Sequence, residues 1–213
     1  MKLVLMSDTH SMHEHCAVPP CDVLIHAGDW SGKGALDDTV SFLRWFEAQP
    51  ARRRIMIAGN HDWFAEKHSA EFSRMLKSYA ITYLNDSGCD VEGLSVWGSP
   101  VQPEFCAWAF NRVRGDAIRK HWDMIPNGVD ILVTHGPPAG IGDRTVRGDY
   151  VGCADLMARL RVVQPRLHVF GHIHEGRGKY HAPVDGVRDA VFVNASCLDE
   201  TYKRMRQPIE IEL

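Results

Sequence analysis

The sequence predicts an α/β fold in which two packed, mixed β-sheets are flanked by helices. Runs of β-branched and aliphatic residues alternate along the chain with segments of helical periodicity, a pattern typical of layered α/β proteins. The strand-like runs also outnumber the strands that one simple parallel sheet would need. No linker, low-complexity tract or internal repeat divides the 213 residues, so we expect one domain over residues 1–213.

Four segments carry apolar residues at helical spacing. They are Leu36–Phe46, Phe72–Tyr79, Ile118–Ile125 and Leu156–Val163. Proline follows three of these segments, at Pro50, Pro126 and Pro165. Because proline lacks a backbone N–H and clashes with the preceding turn, it cannot continue a helix. We therefore expect four helices with these approximate limits.

Short apolar runs predict strands, and the first group of them ends in polar motifs. This group consists of Leu3–Met6, Val23–Ile25, Ile55–Ile57, Ile131–Val133 and Leu167–Phe170. Further strands are expected at Ile81–Leu84, Leu94–Trp97, Ala190–Val193 and Ile209–Leu213. An apolar run that ends in an acid, an amide or a histidine is typical of a buried strand with a polar side chain at its tip.

The polar motifs after the first group of strands share oxygen and imidazole side chains. They are Asp8-Thr9-His10, Gly28-Asp29, Gly59-Asn60-His61-Asp62, Thr134-His135-Gly136 and Gly171-His172-Ile173-His174. Active sites of α/β sheets lie beyond the carboxyl ends of the strands, so we expect these motifs to meet at one rim. Such a cluster indicates a divalent metal site, and its size suggests two metals.

The spacing within two of these motifs supports a common site. Asp8 and His10 are two residues apart, as are His172 and His174, and such pairs point to the same side of an extended backbone. Each motif taken alone is equally typical of a turn or of a surface polar pair. The ordered set favours the metal site, because the turn interpretation requires a separate coincidence for each motif.

In the motif Gly59-Asn60-His61-Asp62, we expect neighbouring residues to have different roles. Asn60 offers a neutral carbonyl oxygen as a ligand, and His61 beside it would point elsewhere and be free to donate a proton. We expect Asp62 to hold His61 by a hydrogen bond and so to select its tautomer.

The surroundings of the motifs allow two interpretations. Phe105, Trp108, Phe110 and Asn111 are explained either by core packing or by a wall that stacks a nucleobase, with Asn111 reading the edge of the base. Arg144 belongs either to a solvated loop or to the rim on the phosphate side of the site. The sequence leaves both pairs of interpretations open.

Composition restricts the class of protein and its partners. The net charge of −3 gives no sign of the basic surface that binds nucleic acid, so we expect no nucleic-acid polymer as a partner. No apolar run is long enough to cross a membrane. The first residues lead straight into a strand that ends at Asp8, so we expect no signal peptide. The six cysteines form no Cys-x-x-Cys pair, which suggests reduced thiols and a cytoplasmic location.

These motifs resemble those of the calcineurin-like metallophosphoesterases, and more narrowly the metallophosphoesterase domain-containing (MPPED) family. The narrower resemblance also rests on Trp108-Ala109-Phe110-Asn111 with Arg114-Gly115, Asp130 to Pro138, Val151-Gly152-Cys153 and Asn194-Ala195-Ser196. It covers nearly the whole chain and implies a four-layer α/β/β/α sandwich. Thr134 stands where the wider superfamily usually has glycine, which matches the narrower family.

The resemblance also implies a ligand set and residue roles. One metal would be bound by Asp8, His10, Asp29 and His174, and the other by Asp29, Asn60, His135 and His172. The catalytic residues would be His61, as the acid near the leaving group, and Asp62. Substrate contacts are expected from Asn60, His61, Trp108, Asn111 and Arg144. The cofactors would be two divalent ions of Mn, Fe, Zn or Co, with Mn favoured.

The implied reaction is hydrolysis of a phosphoester by a hydroxide that bridges the two metals. We expect the substrates to be small phosphodiesters, in particular nucleotides, including cyclic nucleotides. The alternatives are a phosphomonoesterase or nucleotidase, and a nucleotide-binding regulatory protein that turns over slowly. The complete ligand set, with His172 retained, argues against the last of these. The oligomeric state is left open by the sequence.

Overall fold

The computed structural model describes all residues from Met1 to Leu213. The N-terminal part of the chain and its last strand form a five-stranded sheet. The strands are β1 (Lys2–Met6), β2 (Cys21–His26), β3 (Ala51–Met56), β4 (Thr82–Tyr83) and β13 (Ile209–Glu212). The order is β13-β1-β2-β3-β4, with β13 antiparallel to β1 and the other pairs parallel. The carboxyl ends of β1, β2 and β3 therefore lie at one edge.

A six-stranded sheet forms the other half. Its strands are β5 (Ser87–Val91), β6 (Leu94–Ser99), β9 (Ile131–Thr134), β10 (Leu167–Phe170), β11 (Gly178–His181) and β12 (Val191–Asn194). The order is β11-β12-β10-β9-β6-β5, and only the two edge strands run antiparallel to their neighbours. A short parallel pair, β7 (Gln102–Pro103) and β8 (Asn111–Arg112), lies outside both sheets.

Helices cover the outer face of each sheet. They are α1 (Leu36–Glu47), α2 (Trp63–Lys67), α3 (Ser69–Leu76), α4 (Asp116–Trp122) and α5 (Ala154–Val163). Helices α1 to α3 pack on the five-stranded sheet, and α4 and α5 pack on the six-stranded sheet. None of the helices combines the length and the apolar composition that crossing a bilayer requires.

The alternation of side chains along β1 shows how the layers form. Leu3 and Leu5 pack between the two sheets against residues such as Val133, whereas Val4 and Met6 pack against the helices on the other face. Successive side chains of a strand point to opposite faces, so a strand buried on both sides is apolar throughout. The predicted two mixed sheets flanked by helices, in four α/β/β/α layers, are confirmed.

The structure adds elements that the apolar pattern did not indicate. Strands β5, β7, β8 and β11 and the short helix α2 are rich in polar residues or too short to show a period. The predicted helix Phe72–Tyr79 is found one turn earlier, as α3 at Ser69–Leu76. These differences affect the edges of the layers and leave the strands that bear the motifs unchanged.

A buried histidine of β10, His168, makes the stability of the fold depend on pH. His168 is fully buried beside Phe170 and Phe192, its Nε2 lies 2.8 Å from Thr134 Oγ1, and its Nδ1 has no partner. Burial lowers the pKa of His168 from 6.5 to about 3. The ring thus stays neutral in the folded chain at a pH at which the unfolded chain is protonated.

We predict that this histidine makes the protein less stable in mild acid. The pKa of His168 is lower in the folded chain than in the unfolded chain. The loss of folding stability that this causes is absent above pH ~6.5 and grows as the pH falls toward the folded pKa. Between pH 7 and 5 it should remove about 2 kcal/mol of unfolding free energy. His168→Leu should reduce the loss by that amount in urea titrations with EDTA. If the variant and the wild type lose the same unfolding free energy between the two pH values, the prediction is wrong.

Candidate metal centre and substrate cleft

The seven predicted ligands follow the strands at one rim of the two sheets. Asp8, His10, Asp29 and Asn60 come from the loops after β1, β2 and β3, and His135, His172 and His174 from those after β9 and β10. All are buried except His10 and His172, which are partly buried. Parallel strands place their carboxyl ends together, which is why residues from distant parts of the chain meet here.

The backbone of this rim is strained. Asp8, His10, Asp29 and His172 have positive φ angles of 53°, 39°, 59° and 69°. In L-residues other than glycine this left-handed conformation costs about 1–2 kcal/mol each. Such strain persists only where the surrounding structure enforces it, and it is concentrated at functional sites.

The side chains form two groups of potential metal ligands that approach each other, and a third group, His10, Asp29 and His61, overlaps both through His10 and Asp29. In the first, Asp8, His10 and His174 have ligand atoms within 4.8 Å of one another, with 3.5 Å between His174 Nε2 and Asp8 Oδ1. In the second, the same limit holds for Asp29, His135 and His172, with 3.4 Å between His135 Nε2 and Asp29 Oδ2.

Asp29 connects the two groups. Its Oδ2 atom lies 3.7 Å from His10 Nε2 as well as 3.4 Å from His135 Nε2. Asn60 joins the second group, because its Oδ1 lies 2.9 Å from His135 Nε2. A carboxylate oxygen between two such groups can be shared by two ions, while the other oxygen, Oδ1, accepts from the backbone N–H of His61 at 2.8 Å.

Hydrogen bonds outside the groups select the ligand atoms. The Nδ1 of His135 donates to the carbonyl of Ala27 at 2.9 Å, and the Nδ1 of His174 donates to the carbonyl of Asp199 at 3.0 Å. Each Nε2 is then left to face the cluster. Metal-binding histidines are commonly oriented in this way, so this donor set fits divalent cations.

The electrostatics of the cluster favour positive charge within it. Burial lowers the pKa of His135, but the charge of Asp29 outweighs it and raises the pKa to about 9. In the same way, burial lowers the pKa of His174, but its hydrogen bond to Asp8 and the charge of Asp8 raise it to about 9. Burial lowers the pKa of His10 to about 4 and that of His172 to about 3. Two carboxylates thus attract positive charge into a buried site, and protons supply it in the absence of metal.

His61 and Asp62 do not form the predicted pair. The Nδ1 of His61 donates to the carbonyl of Gly32 at 2.6 Å instead. Asp62 is fully buried and accepts bonds from the backbone N–H groups of Asp29, Gly59 and Ser31 at 2.8, 2.8 and 3.0 Å. We therefore correct the expected role of Asp62: it holds the loops that carry the ligands, since all its lone pairs face those loops.

A cleft of about 550 Å³ opens over the cluster. Its floor includes Asp29, Asn60, His61 and His172. The walls are formed by Pro103, Glu104, Phe105, Trp108, Arg114, Gly136, Pro137, Thr145, Val151, Ile173 and Tyr202. The ring of Trp108 stacks on His61 with 4.3 Å between centroids and 21° between planes. The cleft therefore combines a polar floor with largely apolar, aromatic walls.

The structure decides between the interpretations of the surrounding residues. Phe105 and Trp108 line the cleft, whereas Phe110 is buried in the core. Asn111 is outside the cleft lining, and its Nδ2 donates to the carbonyl of Phe105 while its Oδ1 accepts from Gln102. Arg144 is exposed and lies outside the cleft lining, which corrects its expected role as a substrate contact.

Arg114 and Tyr202 are among the cleft residues to which the sequence assigned no role. Arg114 stood only within a family motif, and Tyr202 follows no apolar strand. The Tyr202 ring packs on His10 and His174, with centroids 5.0 and 4.7 Å apart. No local pattern marks Tyr202, because a loop closed by Asp199 brings it to the site.

The fold and the donor set together define a metal-dependent phosphoester hydrolase. The chain belongs to the calcineurin-like phosphoesterase family, whose sequence profile matches residues 1–176. It is 39% identical over 235 residues to the human metallophosphoesterase domain-containing protein 1, a match that covers 100% of this chain and 71% of the human protein. Members of this family typically bind divalent metals.

Further comparisons support the same family and the same fold. A UPF0046 protein of Caenorhabditis elegans is 32% identical over 233 residues, covering 100% of this chain and 81% of the worm protein. The crystal structure of TT1561 of Thermus thermophilus has a TM-score of 0.63 at 13% identity, covering 91% of this chain and 88% of that one. At that identity, the structural likeness shows the fold alone.

We predict that Gly171→Ala weakens metal binding. A Cβ at position 171 would overlap Asp8 Oδ2 and Ser7 Oγ, so Asp8 must move. Displacing the support of a ligand typically costs 10–100-fold in metal affinity, and Mn²⁺ titration of EDTA-stripped protein should show about this loss. The control is Gly136→Ala, whose Cβ meets only Gln102 Cβ at 3.2 Å. Equal Mn²⁺ affinity of both variants would contradict the prediction.

Proposed function

We propose that this protein is a dinuclear metal-dependent phosphodiesterase that acts on nucleotides, cyclic nucleotides among them. The observation that carries the proposal is the position of Asp29, which lies between two groups of buried ligands beneath a single cleft. Two ions that share a carboxylate suit phosphoryl transfer, because both attacking and leaving oxygens need charge neutralisation.

The residues divide into two ligand sets. Asp8, His10, Asp29 and His174 would hold one ion, and Asp29, Asn60, His135 and His172 the other. Mixed oxygen and imidazole donors suit Mn, Fe, Zn or Co, and we favour Mn. When bound, such ions lower the pKa of water and polarise phosphoryl oxygens.

His61 is the proposed acid. The carbonyl of Gly32 keeps a proton on Nδ1, so Nε2 is the ring atom left to carry a proton to the leaving oxygen. The backbone N–H of His61 donates to Asp29 Oδ1 at 2.8 Å, and Trp108 covers the ring face. The Nδ1 bond and the stacking limit rotation of the ring at the floor of the cleft.

The cleft walls support a nucleotide diester as substrate. Phe105, Trp108 and Tyr202 present aromatic surface on which a planar base can stack. A monoester dianion carries more charge than a diester and needs cations beyond the metals. Arg114 is the sole lysine or arginine in the lining, and none of its hydrogen bonds or ion pairs involves a predicted ligand.

We predict that the Mn²⁺-loaded protein hydrolyses bis-p-nitrophenyl phosphate with a higher kcat/KM than p-nitrophenyl phosphate. Elemental analysis of the same samples should approach two metals per chain. A screen of cyclic and linear nucleotides then identifies the natural class. A much higher kcat/KM for a nucleoside monophosphate than for any diester would favour a nucleotidase and overturn the proposal.

We also predict that His61→Ala lowers kcat while the metal content is kept. General acid catalysis contributes roughly 10²–10⁴-fold, and the loss should be greatest for a ribose leaving group and smaller for p-nitrophenolate, which leaves with little protonation. The neighbouring variant Asn60→Ala is the control, because it should lower metal content. Loss of metal in His61→Ala, or equal losses for both leaving groups, would show that His61 has another role.

A further inference from the structure

The charge of one cleft residue has no use in the mechanism described so far. Arg114 lies between β8 and α4, is exposed, and is the sole lysine or arginine in the cleft wall. Its Nη1 donates to the carbonyl of Gly152 at 2.8 Å and its Nη2 to that of Val151 at 2.7 Å. These two bonds hold the guanidinium group against the loop on the opposite wall.

The charge of Arg114 is not neutralised by the protein. Ion pairs with carboxylates are formed by Arg52, Arg112, Arg119, Arg161, Arg166 and Arg206. Arg114 has no carboxylate oxygen within 4.0 Å, and Glu104, which lines the same cleft, pairs with no cation. A guanidinium group has five N–H donors, so three of those of Arg114 remain for a ligand.

Arg114 makes no hydrogen bond or ion pair with the predicted metal ligands. Its partners are the carbonyls of residues 151 and 152, and no hydrogen bond joins it to the ligand clusters. Phe105, Trp108 and Pro137 are among the apolar residues that line the same cleft. A substrate whose scissile phosphate is at the metals, and whose apolar part lies along these walls, would present its remote end to Arg114.

We propose that Arg114 is a specificity-determining residue that binds a second phosphate group, remote from the diester that is cleaved. This inference rests on the proposed phosphodiesterase function. A guanidinium fork matches two phosphate oxygens, and in an exposed position a doubly charged phosphate is attracted more strongly than a carboxylate. The preferred substrates are then nucleotide diesters that carry a further phosphate on the sugar.

A pair of substrates that differ by one phosphate tests this directly. Both are 5′-(p-nitrophenyl phosphate) esters of thymidine, one with a free 3′-hydroxyl and the other with a 3′-phosphate. Release of p-nitrophenolate reports cleavage of the diester alone. Wild-type protein should have the higher kcat/KM for the phosphorylated compound, and added salt should narrow the difference, because ions screen an exposed charge.

The variants separate binding of the remote phosphate from other roles. Arg114→Gln should lower kcat/KM for the phosphorylated substrate roughly five- to twentyfold and leave the other substrate little changed. Arg114→Lys keeps the charge without the fork and should give an intermediate loss. The control is Arg147→Gln, which removes an exposed arginine outside the cleft lining and should preserve the preference.

Each other result would overturn the inference. Equal losses on both substrates would place Arg114 at the reacting phosphate or, with a lowered melting temperature, in holding the loop. An unchanged substrate preference in Arg114→Gln would show that Arg114 binds no second phosphate. If the wild-type protein cleaves neither compound nor bis-p-nitrophenyl phosphate, the proposed diesterase function fails, and the inference fails with it.

Discussion

The arrangement of the site depends on the buried carboxylate of Asp62. It accepts hydrogen bonds from the N–H groups of Asp29 and Gly59 at 2.8 Å, and thereby ties the loop after β2 to the loop after β3. Asp29 in turn accepts from the N–H of His61. A buried carboxylate must be satisfied by donors, so these loops cannot separate without leaving it unpaired. Asp29 and His61 are therefore held in a fixed position relative to each other.

A second set of contacts joins the two sheets at the same rim. The N–H of His172 donates to both oxygens of Asp8, at 3.1 and 3.0 Å, and Ser196 Oγ donates to Asp8 Oδ2 at 2.8 Å. Asp8 follows a strand of one sheet, while His172 and Ser196 follow strands of the other. Gly171 permits this approach, since a side chain there would overlap Asp8. The seven predicted ligands meet only while the two sheets keep this position.

The charge of the cluster explains why such a centre requires cations. Asp8 and Asp29 lie among the five imidazole rings of His10, His61, His135, His172 and His174, and they raise the pKa of His174 and His135. Protons on these rings balance the carboxylates when no metal is bound. Metal binding needs the neutral imidazole, so it must displace these protons. Metal affinity and pH are therefore coupled in this site.

Much of this could be inferred from local patterns. Apolar runs such as Leu3–Met6 specify strands buried on both faces, and an acid or histidine just beyond such a run must lie at the rim. The seven predicted ligands were located in this way, because each stands within a few residues of a strand end. Periodicity also located the four main helices, since each buries one apolar face.

What the sequence by itself determined is thus the layered fold and the residues at its rim, because both follow from short-range periodicity and solvation. Tertiary structure alone decided which partners these residues have. Asp62 binds backbone N–H groups instead of His61, Asn111 is engaged by Gln102 and Phe105, and Arg114 replaces Arg144 at the cleft. These contacts join residues from separate loops, and their geometry depends on the packing of both sheets, which no local pattern encodes.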